Sequence, residues 1–180
     1  SYFICLVKSI LLKGLRRVLL KGNETKYKKE SGVLLHISSL PSNHGIGDLG
    51  DEAYRFVDFL KSSRQTYWQL LPLCPVGKGN SPYSSYSAFA GEILFIDLNG
   101  LVKDGLLSHD EIPEENFPKN TDYKKAREFK LPLIKKAAER FNTKSRDFKA
   151  FLTENAYWLN DYALFMAIKT AYPNKSFTEL

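Results

Sequence analysis

The feature that most constrains the fold is a helix pattern flanked by two short apolar runs. Residues 32–37 form an apolar run that ends in turn residues, which predicts a buried parallel strand. Residues 67–71 predict a second strand, which Pro72 ends. Between them, Asp51 and Glu52 begin a predicted helix whose buried stripe is Ala53, Phe56, Val57 and Leu60. This order predicts a βαβ unit, and therefore an α/β protein with helices outside a parallel sheet.

The second half of the chain predicts mostly helices. Residues 93–96 are a short apolar run that we interpret as an extended segment, and residues 101–107 end in a short predicted helix. Two longer helices are predicted at residues 123–141 and 148–170. Because the last of these is apolar on several sides, we expect it to be well buried.

The net charge of +6 raises the question of nucleic-acid binding, and its distribution argues against it. Residues 1–30 hold eight of the 26 basic and two of the 20 acidic side chains, which leaves 18 of each for residues 31–180. The main body is therefore neutral, and we expect no nucleic-acid partner. The change near Ser31 divides the chain into a basic extension, residues 1–30, and a portion of one domain, residues 31–180.

The extension itself has two interpretations. In residues 1–22, apolar side chains recur at helical spacing with basic residues on the other faces. Lys8 and Lys13 interrupt the apolar run, which disfavours a signal peptide and a transmembrane helix. We favour an extension without regular structure. A basic amphipathic helix in contact with a membrane surface stays open as the alternative.

The metal-ligating residue types are scattered. Cys5 and Cys74 lie far apart, and the three histidines, His36, His44 and His109, do not cluster with them. Their spacing matches neither a disulfide framework nor a zinc motif. We therefore expect no metal and no cofactor, and the low cysteine count favours the cytoplasm.

A glycine motif at residues 45–50 matches the pattern GxGxxG of dinucleotide-binding proteins. Three observations oppose that function. The predicted strand ends near Ile37, so Pro41 and several other residues separate it from the first glycine. Asp48 would bring negative charge to the place of the pyrophosphate, and no acidic residue follows the second strand. We interpret the glycines as giving the loop room to bend.

The long polar loop of residues 74–91 is the candidate functional segment. It offers two tyrosine rings and a set of hydroxyls: Ser81, Tyr83, Ser84, Ser85, Tyr86 and Ser87. Rings and hydroxyls together suit an uncharged polyol ligand. A hydroxyl-rich turn with its rings folded inward fits the same pattern, and both interpretations stay open. In a (β/α)₈ barrel, residues 36–39 and this loop would face one cleft at the carboxyl ends of the strands.

Several segments resemble the amylomaltases, the disproportionating 4-α-glucanotransferases. They occur in the order seen in that family and run from about Ser31 to Lys169. The matching segments are residues 31–36, 45–50, 67–73, 81–91 (which begins Ser81-Pro82-Tyr83), 96–98, 100–102, 105–107 and 158–165. One difference is Glu92-Ile93, where relatives more often have Asn-Pro.

The resemblance implies the N-terminal part of a (β/α)₈ TIM barrel with a helical insertion. It also implies retaining transfer of α-1,4-glucan segments, in which one carboxylate is the nucleophile and another the acid and base. Tyr83 would stack at the sugar ring beside the cleaved bond, and Ser81 would shape that subsite. His36 is expected to have a structural role.

No catalytic residue is assigned within the chain. In the family the nucleophile, the acid/base and a third carboxylate lie downstream of the position of Leu180. Those motifs do not include any of five aspartates of this chain: Asp48, Asp51, Asp58, Asp97 and Asp161. We therefore expect the chain to be inactive by itself. The alternative function is a non-catalytic fragment that binds α-1,4-glucan and maltooligosaccharides.

Overall fold

The computed structural model describes residues 29–77, 79–172 and 175. Two strands, β1 (Gly32–Leu34) and β2 (Tyr67–Gln69), pair in parallel, and the helix α1 (Asp51–Ser62) connects them. The register joins Gly32 to Tyr67 and Leu34 to Gln69. The predicted βαβ unit is thus confirmed. The interpretations given for residues 1–22, and for the extension up to Lys28, lie outside the described residues.

The small sheet is covered on one face. Trp68 packs against Phe56 of α1, with ring centroids 4.8 Å apart, and its Nε1 donates to the carbonyl of Leu35 at 2.7 Å. Successive side chains of a strand point to opposite faces. Leu34 and Tyr67 consequently point away from α1, and they are 55% and 58% exposed. The prediction that the first strand is buried is therefore wrong for this face.

The segment predicted to be extended, residues 93–96, is extended only at Ile96. Ile93–Phe95 form a 3₁₀ turn that leads into the short helix α2 (Leu98–Lys103). The carboxylate of Asp97 caps α2 by accepting from the amides of Asn99 and Gly100, both at 2.9 Å. The expected short helix is present, but it begins and ends earlier than the sequence indicated.

Three helices complete the fold: α3 (Tyr123–Arg140), α4 (Arg146–Glu154) and α5 (Ala156–Ala171). The prediction of a single helix over residues 148–170 is wrong, because Asn155 separates α4 from α5. Its Nδ2 donates to the carbonyl of Phe151 at 2.8 Å, and its Oδ1 accepts from Trp158 Nε1 at 3.0 Å. The expectation of a well-buried last helix also fails, since Tyr157 and Leu164 of α5 are exposed.

The described residues form two hydrophobic clusters. The main core lies between α1, α2, α3 and the loops that follow the strands. It is made of Ile37, Leu40, Ile46, Ala53, Leu94, Phe95, Ile96, Leu98, Leu101, Leu107, Ala126, Leu133, Ile134 and Ala137. The second cluster is smaller and joins the end of the polar loop to α4 and α5 through Ala90, Phe148, Phe151, Trp158 and Leu159.

The glycine motif is part of the main core. A Cβ added to Gly47 would overlap the carbonyl oxygen of Ile37, and the amide of Gly50, at the start of α1, donates to the Asp48 carboxylate at 3.1 Å. The position where a dinucleotide would place its pyrophosphate is therefore occupied by a carboxylate of the protein. The motif packs the loop closely against the core and does not form a phosphate site.

Candidate functional site

The polar loop of residues 74–91 folds back on itself as an irregular hairpin. Val76 and Ser85 form an antiparallel bridge, and the amide of Gly77 donates to the carbonyl of Ser84 at 2.7 Å. Gly79 turns the chain with a φ of 85°, in the left-handed region that glycine adopts without steric cost. The described residues of the loop therefore have a defined backbone, although they include little regular secondary structure.

The serine hydroxyls mostly bind the backbone of the loop itself. Ser81 Oγ accepts from the amide of Tyr83 at 3.3 Å. Ser85 Oγ donates to the carbonyl of Ser87 at 2.8 Å, and Ser87 Oγ accepts from the amides of Phe89 and Ala90 at 3.1 Å. This is the hydroxyl-rich turn that the sequence left open. For Ser85 and Ser87, that interpretation describes the structure.

The two tyrosines of the loop differ. The ring of Tyr86 is 39% exposed and contacts α5, 5.9 Å from the ring of Phe165 and with Lys169 Nζ 4.8 Å from its centroid. Tyr83 is 75% exposed. One ring therefore attaches the loop to a helix, while the other stands in solvent, where a ligand can reach its face.

A buried carboxylate closes the loop. Glu92 is 1% exposed, its amide donates to the carbonyl of Leu73 at 2.8 Å, and its Oε2 accepts from the amide of Val76 at 2.9 Å. Its Oε1 accepts from the amide of Leu94 at 3.1 Å and from Arg127 Nη2 at 3.4 Å. The two ends of the loop are thus held together by one side chain and tied to α3.

Comparison with known proteins identifies the family. The family profile described as 4-alpha-glucanotransferase matches residues 35–180. The chain belongs to the 4-α-glucanotransferase family. It is 46% identical over 157 residues to the 4-alpha-glucanotransferase of Streptococcus pneumoniae serotype 4, covering 84% of the chain and 31% of that relative. With the chloroplastic/amyloplastic enzyme of Arabidopsis thaliana it shares 44% identity over 147 residues, which is 78% of the chain and 26% of the plant protein.

A solved structure supports the same assignment. The amylomaltase from Streptococcus agalactiae in complex with acarbose matches with a TM-score of 0.76 and 40% identity, covering 85% of the chain and 32% of that protein. The chain thus spans about a third of the length of the relatives it matches. Its mixed helices and strands agree with part of an α/β enzyme of this family.

Two of the residues predicted to face the cleft beside the end of the first strand, His36 and Ser38, are buried, unlike Tyr83. His36 is buried in contact with Phe95, with ring centroids 5.4 Å apart, and neither ring nitrogen has a hydrogen-bond partner among the described residues. Burial lowers the pKa of His36. Ser38 is also buried, and its carbonyl accepts from Thr121 Oγ1 at 2.9 Å. The expectation that residues 36–39 face one cleft with the loop is therefore wrong for the side chains of His36 and Ser38, whereas the structural role predicted for His36 agrees with its burial.

Three of the acidic residues that were set aside, Asp48, Asp51 and Asp97, have structural partners. Asp51 pairs with Lys103 Nζ at 3.1 Å on the surface, and Asp97 caps α2. Burial raises the pKa of Asp97, and the charge of Asp48 adds to this effect. Within the described residues, no group of three His, Cys, Asp or Glu side chains is placed to hold a metal ion. In the same part of the chain, no helix has the length and apolar character needed to span a membrane.

Two charged residues were missed by the sequence analysis. Lys130 of α3 is fully buried, and its Nζ contacts Asp48 Oδ2 at 3.1 Å and the carbonyl of Leu94 at 2.8 Å. Burial lowers the pKa of Lys130. The available signal was its position, one helical turn from both Ala126 and Ile134 on the apolar stripe of α3. Glu92 carried no comparable signal beyond its difference from the usual family residue.

A groove of about 450 Å³ runs between the loop, α3 and α5. Its walls include Tyr86, Trp158 and Tyr162, and Glu92 and Arg127 also line it. Burial raises the pKa of Tyr162 to about 12, and the negative charge of Glu92 adds to this effect. The groove is mainly apolar and contains the ion pair of Glu92 and Arg127.

Proposed function

We propose that this chain forms the glucan-binding loop of a 4-α-glucanotransferase. The enzyme would transfer segments of α-1,4-glucan to the 4-position of glucose or of another α-1,4-glucan. The observation that carries the proposal is the exposed ring of Tyr83, held on an ordered loop within a chain of this family. An exposed aromatic face suits the apolar C–H face of a hexose.

Ser81 and Tyr83 have distinct roles in this proposal. Tyr83 stacks on the sugar ring beside the cleaved bond, and Ser81 shapes that subsite by accepting from the amide of Tyr83 at 3.3 Å. The match to an amylomaltase in complex with acarbose, an α-glucan analogue, supports a ligand of the maltooligosaccharide class. We expect no nucleic-acid partner and no cofactor.

The chemistry would be retaining glycosyl transfer. In that mechanism a carboxylate attacks the anomeric carbon, and a second carboxylic acid protonates the departing sugar and later deprotonates the acceptor. The family resemblance assigns those carboxylates to positions after Leu180. We therefore expect the chain by itself to bind glucan without transferring it. In this proposal β1, α1 and β2 form the first βαβ unit of a (β/α)₈ barrel, in the cytoplasm.

The second candidate is a non-catalytic protein that binds α-glucan. The observation in its favour is that contacts within this chain hold the loop, through Glu92, Phe165 and Trp158. In this candidate, glucan binding needs no other part of the family fold. The two candidates share the same loop and differ only in whether transfer takes place.

A sugar titration tests the proposal. Maltoheptaose is added to the chain while tryptophan fluorescence is followed, since Trp158 lies 5.8 Å from the loop residue Phe89. The expected result is saturable quenching that needs about 10-fold more sugar in Tyr83→Ala and is unchanged in Tyr54→Ala, an exposed tyrosine of α1. The proposal fails if the chain shows no binding at millimolar sugar.

Incubation with maltotriose separates the two candidate functions. We expect the chain by itself to release no glucose and to form no longer maltooligosaccharides. Product formation would contradict the expectation that the carboxylates lie after Leu180. If a protein containing this chain and those carboxylates forms products, the transferase is supported over the binding protein.

A further inference from the structure

We propose that Glu92, paired with Arg127, is a positioning residue that sets the orientation of Tyr83. This inference rests on the proposed function, because it assigns to Tyr83 the contact with glucan. Glu92 does not touch Tyr83. It acts through a series of hydrogen bonds that starts at its carboxylate and ends at the tip of the loop.

The first step of the series is the carboxylate itself. Glu92 Oε2 accepts from the amide of Val76 at 2.9 Å, and Oε1 accepts from the amide of Leu94 at 3.1 Å. Hydrogen bonds to an ionised acceptor are stronger than neutral ones. Val76 is 7% exposed, so its amide has little access to water if the carboxylate is removed. The start of the loop is thus fixed by a buried charge.

The second step is the set of contacts that connects Val76 to the tip of the loop. Val76 bridges to Ser85, and the next amide, that of Gly77, donates to the carbonyl of Ser84 at 2.7 Å. Ser84 in turn donates from its amide to the carbonyl of Ser81 at 3.0 Å, and Ser81 Oγ accepts from the amide of Tyr83. Movement of Val76 therefore displaces its bridge to Ser85 and, with it, the turn that contains Tyr83.

The third step is the cation. A buried carboxylate needs a partner for its charge, and Arg127 reaches it from α3 with Nη2 at 3.4 Å. Arg127 is 39% exposed while Glu92 is 1% exposed, so the guanidinium joins the buried carboxylate to solvent. We call the Glu92–Arg127 pair, together with the hydrogen bonds from Glu92 to Val76 and Leu94, the brace.

Amide hydrogen exchange tests the brace without any sugar. In Glu92→Gln, which keeps the shape of the side chain and removes the charge, we expect exchange about 10-fold faster at the amides of Val76, Gly77 and Ser84. Amides of α1 should not change. The matched control is Glu111→Gln, since Glu111 also pairs with an arginine, Arg140, and does not contact the loop.

Two results would overturn the inference. If exchange is unchanged at all three loop amides, Glu92 does not hold the loop. If exchange is faster at Val76 alone, the effect of Glu92 does not extend to the tip of the loop. If α1 amides also exchange faster in Glu92→Gln, the variant has lost global stability. The exchange measurement is then repeated with Arg127→Met. That variant keeps the carboxylate, and it must show the loop-confined increase for the inference to stand.

A double-mutant cycle tests whether the brace acts on Tyr83. We expect Glu92→Gln to weaken maltoheptaose binding by about 10-fold and to have no further effect in the Tyr83→Ala background. An equal loss in both backgrounds would contradict positioning through Tyr83. If the unmodified chain binds no sugar, the proposed function fails, and the exchange experiment still decides whether Glu92 holds the loop.

Discussion

The main core and the polar loop are built around similar ion pairs with different surroundings. In the core, Asp48 pairs with Lys130, which is fully buried. Beside the loop, Glu92 pairs with Arg127, which is partly exposed. Both cations come from α3, one helical turn apart. The main core surrounds the first pair, whereas the second pair lines the groove between the loop, α3 and α5.

The difference indicates how one helix serves two purposes. Lys130 joins the glycine motif to the carbonyl of Leu94 and has no access to water, so it acts on the stability of the scaffold. Arg127 and Glu92 hold a surface loop that lies outside the main core, so in our proposal they act on the shape of the segment that binds glucan. Changes near Lys130 should alter unfolding, whereas changes near Glu92 should alter binding.

The largest effect is expected from Lys130→Ala. Removing this cation leaves the Asp48 carboxylate buried without its partner, which typically costs about 3–5 kcal/mol. Urea unfolding followed by circular dichroism measures the change. Lys124→Ala removes a lysine whose side chain is 86% exposed, and should change the free energy of unfolding by less than about 0.5 kcal/mol. Equal effects of the two variants would contradict the role given to Lys130.

A smaller difference in the free energy of unfolding is expected between alanine variants of two glycines. In Gly47→Ala the added Cβ meets backbone atoms of Ile37 and Leu40, which cannot move independently, so we expect a loss of about 2 kcal/mol or more. Gly79→Ala meets no atom within 4 Å but has a φ of 85°, so a loss of about 1 kcal/mol is expected. Thermal unfolding of both variants checks this order. A larger loss for Gly79→Ala would show that the loop, and not the core, is the tightly packed region.

The smallest effect concerns pH. Burial lowers the pKa values of His36 and His44 below the ordinary value, and the positive charge of Lys130 adds to this effect at His44. Below about pH 6.5 the unfolded chain binds protons at these residues that the folded chain does not, so stability falls as the pH decreases. Urea midpoints at pH 7.5 and 5.5 measure this loss. We expect the loss of stability between these two pH values to be smaller in His36→Phe. If the loss is unchanged in this variant, protonation of His36 does not contribute to it.

The βαβ unit could be predicted because each of its signals is local. The apolar runs, Pro72 and the acidic first turn of α1 all act within a few residues. The segment Ile93–Phe95 was mispredicted, because a short apolar run does not distinguish a strand from a buried turn. The break at Asn155 depends on the contact between its side chain and Trp158, which helical periodicity does not indicate.

The candidate site was predicted only in part. The loop and Tyr83 were found from residue type and family resemblance, and the structure exposes that ring. Glu92 was not recognised as the closure of the loop, because its partners Val76 and Arg127 are distant in sequence and meet only after folding. Lys130 was missed although its place on the apolar stripe of α3 gave a signal.

The most direct test of the account is the affinity for maltoheptaose of three forms of the chain, measured by isothermal titration calorimetry. The unmodified chain and Tyr83→Phe should bind alike, because the ring is kept. Tyr83→Ala should bind about 10-fold more weakly or worse, with an unchanged free energy of unfolding, because this side chain is 75% exposed. Equal affinity of all three forms would contradict the claim that the exposed ring of Tyr83 is the sugar-binding surface.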